Sequence, residues 1–238
     1  MTHHTPYTLN AAPDIEIATF GNEGQEVIII DNLLQNPQAL VDFAIQKGDF
    51  EQYQGHCNFY PGIRLPAPQE YSRAIMPKIK SLLLSTYQGL SSGWELNKAD
   101  CMMSLITIQP ENLRKVQSTP HFDSANPYQF AALLYLCDQD HGGTAFYRHN
   151  QTGYETIAFE DRKKFEAIYF NDIERAPIKR GYFSESNEYF TRIGKVDAKF
   201  NRMVIYRSCL LHSAIIGSNS VDSNPKSGRL TVNSFVAF

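Results

Sequence analysis

The spacing of apolar positions predicts helices in the first hundred residues of the chain. Residues 27–30 (VIII) form a β-branched run, which predicts a strand. Apolar residues then recur at helical spacing over residues 37–48, with Asn36 as the candidate N-cap and Pro37 at the first helical position. A second helix is predicted over residues 69–87. Because proline lacks a backbone N–H, Pro77 predicts a kink or a break in that helix.

The pattern changes after about residue 100 to short apolar runs that are typical of strands. Between the third and fourth of these runs lies a mixed stretch of about fifty residues, which contains the helical pattern FEDRKKFEAIYF. Helices followed by many short strands favour the α+β class, with a helical layer on an antiparallel sandwich or barrel. The predicted strands are 102–109, 129–137, 144–148, 202–208, 212–216 and 229–238.

Length and composition favour one globular domain over residues 1–238. The chain has 238 residues, of which 42% are hydrophobic and 20% are charged, which is ordinary for a globular protein that buries one core. Residues 1–25 are predicted to be a loosely ordered entry, and residues 26–100 to hold the N-terminal strand and helices. Residues 101–238 are predicted to be rich in strands, with a partly helical insertion at about 150–200. That insertion is long for a connection, so we expect it to contribute exposed aromatic side chains, such as Tyr182 and Phe183, to a substrate lid. The alternative is a purely structural helical cover.

Charge and hydropathy narrow the class of partner. The formal net charge is −3, so no basic excess argues for nucleic acid. The apolar runs are too short to cross a membrane, and the first ten residues lack the features of a signal peptide. We therefore expect a soluble, cytoplasmic protein without nucleic-acid or membrane partners. The sequence leaves the oligomeric state open.

The four cysteines form no CxxC pair, which disfavours a zinc knuckle or a thioredoxin-like site. Cys137 and Cys209 end or follow apolar runs. We interpret both as small buried hydrophobic residues in a reducing compartment.

The string TPHFDS, residues 119–124, holds the most informative polar residues. His121 and Asp123 are two apart, so an extended backbone points both side chains to one face. A further histidine, His212, lies in SCLLHSAII near the end of the chain. Two imidazoles and one carboxylate on one face of a metal ion, with the opposite positions open, suit non-haem Fe(II) and O2 chemistry. Taken alone, His121 fits a surface loop after Pro120 and His212 fits a satisfied histidine at a strand edge, and the joint arrangement carries the prediction.

Arg229, in SGRLTVNSFVAF, begins the last predicted strand. Burying an arginine there is costly without an anion, and its planar fork matches a carboxylate through two hydrogen bonds. Thr231 lies two residues further on the same predicted face and can donate to the same anion. The alternative is an exposed arginine at the start of a strand.

The order His-x-Asp, a strand-rich gap, His, then Arg-x-Thr resembles the Fe(II)/2-oxoglutarate-dependent dioxygenases, and in particular their prolyl-hydroxylase-like members. VIIIDNLLQNPQALVDFA looks like their N-terminal strand and helix, and HGGTAFYRH looks like a barrel hairpin. YPGIR, SLITIQPENL, PHFDS and NRMVIYRSCLLHS together resemble a bacterial group within this superfamily. The resemblance covers most of residues 26–238.

The resemblance implies a double-stranded β-helix (a jelly-roll, cupin-like core) with an N-terminal helical layer. It implies that His121, Asp123 and His212 are catalytic iron ligands, that Arg229 and Thr231 bind 2-oxoglutarate, and that O2 is consumed. Tyr135 is a further candidate for binding the cosubstrate, although it equally fits a core tyrosine. The implied reaction is hydroxylation of a C–H bond in an amino acid, a peptide or another small molecule.

Two other classes of function stay open at this point. A cupin-like metal-dependent hydrolase or isomerase uses the same three ligands but needs no arginine for a cosubstrate. A non-catalytic jelly roll that binds sugar or peptide needs no metal ligands. Among the other polar residues, Arg207 is expected to pair with a carboxylate, and His141 and His149 are expected at the surface.

Overall fold

The computed structural model describes residues 6–52, 60–175, 180–217 and 220–238. Within these ranges the strands and helices follow the expected order, with two of the three helices before residue 90. The elements are β1 (Asp14–Phe20), β2 (Gln25–Asp31), α1 (Gln38–Lys47), β3 (Glu51–Gln52), β4 (Gly62–Pro66), α2 (Gln69–Thr86), β5 (Lys98–Ile106), β6 (Gln129–Tyr135), β7 (Gly142–His149), α3 (Arg162–Arg175), β8 (Phe190–Asp197), β9 (Arg202–Arg207), β10 (His212–Ile216) and β11 (Thr231–Ala237).

The strands form two antiparallel sheets. The larger sheet has eight strands in the order β1-β2-β9-β6-β11-β5-β4-β3, and the smaller has three in the order β10-β7-β8. Neighbours in space are therefore often distant in sequence, as when β11 at the end of the chain lies between β5 and β6. This crossing of the chain brings the predicted site residues from residues 121–135 and 212–231 into one region.

Alternating side chains of the large sheet serve two different cores. On β6, Phe130, Ala132 and Leu134 face the layer of α1 and α2. Ala131 and Tyr135 face the small sheet, whose Phe146 and Val196 pack in the same cluster. The period of two in a strand thus separates a helix-facing core from a barrel interior.

The outer face of the small sheet is covered by α3. Phe165, Tyr169 and Ile173 lie on one face of this helix and pack on Ala145 and Tyr147 of β7. The spacing of four residues puts these three side chains on a single stripe. The α+β prediction is confirmed, with helices on the outside and two sheets between them.

Several local predictions differ from the structure. Residues 14–20 are not loosely ordered, because β1 pairs with β2 along its whole length. Pro77 lies inside a continuous α2, and α1 begins after Pro37 without a side-chain cap from Asn36. The predicted insertion also contains β8, which pairs with β7. Its polar and apolar side chains do not alternate regularly, so the sequence pattern did not predict this strand.

In the described part of the chain, no helix is long and apolar enough to cross a membrane. Cys137 and Cys209 are buried, and with Cys101 they are free thiols. Cys57 lies outside the described residues. The structure therefore agrees with the interpretation of Cys137 and Cys209 as small buried side chains.

Candidate metal centre

Backbone hydrogen bonds join the His-x-Asp segment to the first residue of β10 and to the turn before it. His121 and His212 exchange two such bonds, of 2.9 and 2.8 Å, and form an isolated antiparallel bridge. The Asp123 and Ser124 amides both donate to the Ser208 carbonyl, at 2.8 and 3.2 Å. Residues about ninety positions apart are thus held in one register. The three side chains of His121, Asp123 and His212, here called the metal triad, converge as a consequence.

The metal triad has the spacing of ligands around a single ion. One ligand atom from each residue can be chosen so that all lie within 4.8 Å of one another. Asp123 Oδ1 lies 3.7 Å from His121 Nε2, and Asp123 Oδ2 lies 3.4 Å from His212 Nε2. Neutral imidazole and carboxylate are suitable donors for Fe(II), and three protein ligands leave coordination positions open. The residues present therefore fit a non-haem iron ion.

The surrounding backbone orients the two imidazoles. His212 Nδ1 donates to the Leu210 carbonyl at 2.8 Å, which leaves the Nε2 lone pair facing Asp123. Partial burial and the neighbouring His212 imidazole lower the pKa of His121. This shift favours the neutral form, which is the form that binds a metal ion. The His121 side chain is 41% exposed and that of His212 is 8% exposed, so the triad opens to solvent on the His121 side.

Arg229 is buried immediately before β11. It is 2% exposed, and its guanidinium donates to the Gly143 carbonyl of β7 at 2.9 Å. Its Nε has no hydrogen-bond partner, and none of the ion pairs among the described residues includes Arg229. A buried cation with one carbonyl partner leaves donors for an anion that the described residues do not supply. This is the arrangement predicted for an arginine that binds a carboxylate.

Thr231 and Tyr135 lie beside Arg229 on paired strands. Thr231 pairs with Tyr135 on one side and with Ser104 on the other, so their side chains share a face. The Arg229 guanidinium lies 5.5 Å from the centre of the Tyr135 ring. The Tyr135 hydroxyl already pairs with Thr144 Oγ1 at 2.6 Å. Tyr135 thus supports the guanidinium with its ring, and its assignment as a hydrogen-bonding group for the cosubstrate stays a prediction.

The pocket around Arg229 contains two tyrosines that sequence reasoning did not assign to it. Burial raises the pKa of Tyr60 to about 12, and the guanidinium groups of Arg229 and Arg64 oppose this rise. Thr231 lies beside the Tyr60 hydroxyl and also opposes the rise of its pKa. Tyr182 is close to Tyr60 and Arg229, and its hydroxyl donates to the Ile108 carbonyl. The motif YPGIR was the available signal for Tyr60 and Arg64.

The predicted insertion has two different relations to the site. Its helix α3 anchors the loop that precedes His121, because the Tyr169 hydroxyl donates to the Pro120 carbonyl at 3.0 Å and pairs with Thr119 at 2.8 Å. Residues 180–183 then cross to the end of β5. Tyr182 and Phe183 are half-buried and not exposed as expected, since Phe183 packs on Tyr147.

The other polar residues considered from the sequence have structural contacts. Arg207 donates to the Pro127 carbonyl and stacks on Tyr87, so the predicted carboxylate pair is wrong. His149 is fully buried against Asp172 at 3.1 Å, which corrects its expected place at the surface. This burial could not be predicted from local spacing, because the hydrogen-bond partners of His149 are Thr152 and Asp172.

The sequence model of a family of unknown function (DUF6445) matches residues 11–236 of the chain. The chain belongs to this family. No curated protein sequence matches this DUF6445 chain.

Solved structures resemble the DUF6445 chain at low sequence identity. A prolyl hydroxylase from Trichoplax adhaerens, in complex with a hypoxia inducible factor oxygen degradation domain peptide fragment, is 15% identical with a TM-score of 0.50. The match covers 89% of this chain and 83% of that one. A prolyl-4-hydroxylase from Pseudomonas putida is 13% identical with a TM-score of 0.43, covering 84% and 85%. HygX from Streptomyces hygroscopicus, with nickel and 2-oxoglutarate bound, is 13% identical with a TM-score of 0.44, covering 90% and 84%. The similarity to the Trichoplax enzyme confirms the predicted double-stranded β-helix core.

Proposed function

We propose that this DUF6445 chain is a non-haem Fe(II)- and 2-oxoglutarate-dependent oxygenase. Its substrate would be an amino acid, a peptide or another small molecule with a C–H bond to be hydroxylated. The observation that carries the proposal is the burial of Arg229, without an acidic partner among the described residues, in the same barrel interior as the open metal triad. The donor set suggests the metal, and the arginine suggests its dicarboxylate cosubstrate.

The register of the small sheet sets the separation between the two halves of the site. His212 pairs with Phe146 on β7, and Arg229 donates to Gly143 of the same strand. Three residues of strand correspond to about 10 Å. A five-carbon dicarboxylate that chelates a metal ion at one end reaches a guanidinium over such a span. The register is therefore compatible with 2-oxoglutarate bound between the metal triad and Arg229.

Each residue of the proposed site has a defined task. The metal triad would hold Fe(II) and leave adjacent positions free for the cosubstrate and O2. Arg229 would bind the distal carboxylate through two charge-assisted hydrogen bonds, and Thr231 would add a third. When bound, Fe(II) and 2-oxoglutarate supply the O2-dependent oxidation of a C–H bond, with succinate and CO2 as the co-products. The chain orients these groups and limits water around them.

The test is whether the protein converts 2-oxoglutarate to succinate. With Fe(II), O2 and ascorbate, we expect slow succinate formation even without a substrate, and none when Fe(II) is omitted. Asp123→Ala should abolish the reaction. Asp42→Ala, an exposed carboxylate on α1 that bonds Gln38, is the matched control and should keep wild-type rates.

Two results would overturn the proposal. Metal binding without any turnover or binding of 2-oxoglutarate would favour a cupin-like hydrolase or isomerase. Absence of metal binding by the folded protein would favour a jelly-roll binding protein.

A further inference from the structure

Tyr206 is an aromatic residue of the barrel interior that contacts the metal triad. It lies on β9 opposite Ala131 of β6, and it is 4% exposed. Its ring packs edge-on against the His212 imidazole, with the ring centres 4.9 Å apart. It also packs against Phe146 of the small sheet at 5.1 Å. The phenol is therefore fixed between the two sheets, beside a predicted metal ligand.

The Tyr206 hydroxyl has no hydrogen-bond partner within residues 6–52, 60–175, 180–217 and 220–238. Buried phenols ordinarily find a partner, because an unpaired hydroxyl loses its hydration without compensation. Tyr135 shows the ordinary case, with its hydroxyl bonded to Thr144. Tyr206 is thus a nearly buried residue whose hydroxyl the described residues leave free to donate to a ligand.

The contacts of Tyr206 place it between the two halves of the site. Its ring packs on the His212 imidazole of the metal triad. It also belongs to the same buried cluster as Tyr135, whose ring centre lies 5.5 Å from the Arg229 guanidinium. A ligand that bridges the metal triad and Arg229 therefore passes beside Tyr206.

We propose that Tyr206 donates a hydrogen bond to the 2-oxo-carboxylate end of the bound cosubstrate. The inference rests on the proposed function and adds a residue to it. Tyr206 orients the metal-chelating end, whereas Arg229 binds the distal carboxylate. The contact of its ring with His212 explains why the donor acts at the metal end.

Tyr206→Phe tests this directly, because it keeps the ring and removes the hydroxyl. Calorimetric titration of 2-oxoglutarate into Mn(II)-loaded protein should show about five-fold to ten-fold weaker binding, the loss expected for one hydrogen bond. The affinity for Mn(II) itself should not change. The affinity for 2-oxobutyrate, which has the same 2-oxo-carboxylate but no distal carboxylate, should fall by the same factor.

Tyr87→Phe is the matched control. Tyr87 is also buried, but its hydroxyl donates to the Glu26 carbonyl at 2.7 Å and lies on the helix-facing side of the sheet. This variant should lower the melting temperature of the ligand-free protein and leave 2-oxoglutarate affinity unchanged. Tyr206→Phe should not lower the melting temperature of the ligand-free protein, because no described residue pairs with the hydroxyl that it removes. It should instead weaken the binding of 2-oxoglutarate.

Three results would overturn the inference while leaving the proposed function intact. They are unchanged 2-oxoglutarate affinity in Tyr206→Phe, loss of Mn(II) binding in that variant, and a weakening confined to 2-oxoglutarate that spares 2-oxobutyrate. Failure of the wild-type protein to bind 2-oxoglutarate is a separate outcome, because it would contradict the proposed function itself.

Discussion

Replacing Arg229 should weaken 2-oxoglutarate binding without weakening metal binding. The guanidinium is 2% exposed and uses one bond, to Gly143, so its remaining donors face a pocket from which most water is excluded. Truncating one partner of such a buried charged pair costs about 2–5 kcal/mol, or about 30-fold to several thousand-fold in affinity. Arg229→Ala should show this full loss. Arg229→Lys should fall between wild type and Ala, because it keeps the charge but loses the planar fork.

The ligand-free protein should respond in the opposite direction. In the absence of an anion the buried guanidinium lacks a counter-charge, so Arg229→Met should unfold at the same temperature as wild type or higher. Arg202→Met is the contrasting control. Arg202 pairs with Asp31 through bonds of 2.6 and 2.9 Å, so its loss should lower the melting temperature and leave 2-oxoglutarate affinity unchanged.

The assay is calorimetric titration of 2-oxoglutarate into Mn(II)-loaded protein, with a thermal melt of each ligand-free variant. Thr231→Val should lose about 1 kcal/mol of binding free energy, as expected for one neutral hydrogen bond. Equal affinity in wild type, Arg229→Lys and Arg229→Ala would refute the assignment. The carboxylate would then be bound by another basic residue, for which Arg64 is a candidate because it also acts on Tyr60.

Three other predictions concern the triad, the insertion and a buried histidine. Alanine at any residue of the metal triad should abolish Fe(II) binding with the fold intact by circular dichroism, and wild-type metal binding in both histidine variants would refute the assignment. Tyr182→Phe removes the hydrogen bond to the Ile108 carbonyl, so amide hydrogen exchange should become faster than in wild type in residues 180–183 but not in α3. Exchange equal to that of wild type in residues 180–183 would contradict a role of this bond in holding them over the site. Burial lowers the pKa of His149 below 6.5 while Asp172 opposes this, so the unfolded chain takes up the proton first and stability falls as pH drops below about 6.5. His149→Gln should therefore flatten the denaturant-derived stability between about pH 7.5 and pH 5.5, and an unchanged slope would contradict this.

The order of the helices and strands and the spacing of the candidate site residues could be predicted from the sequence, because both depend on local spacing. His121 and Asp123 are two apart on extended backbone, and that spacing alone puts them on one face. The apolar strand that follows Arg229 made its burial one of two alternatives, the other being an exposed arginine at the start of the strand. In each case a short stretch of chain contains the physical reason.

The residues that the sequence did not reveal depend on contacts between distant segments. Tyr206 reaches the site only because β9 lies beside β6 and opposite the small sheet. His149 is buried because Asp172 of α3 comes over β7. The strand β1 is the exception, because DIEIATF alternates polar and apolar residues as a strand does and its partner β2 follows directly in the sequence.

Anaerobic titration of the protein with Fe(II), followed by 2-oxoglutarate, tests the central proposal most directly. If the metal triad binds iron and the cosubstrate chelates it, adding 2-oxoglutarate should produce a weak visible charge-transfer band that saturates at one equivalent per chain. Asp123→Ala should show no band, and Asp42→Ala should show the wild-type band. Stoichiometric Fe(II) binding by the wild-type protein with no band and no heat on adding 2-oxoglutarate would contradict the oxygenase assignment.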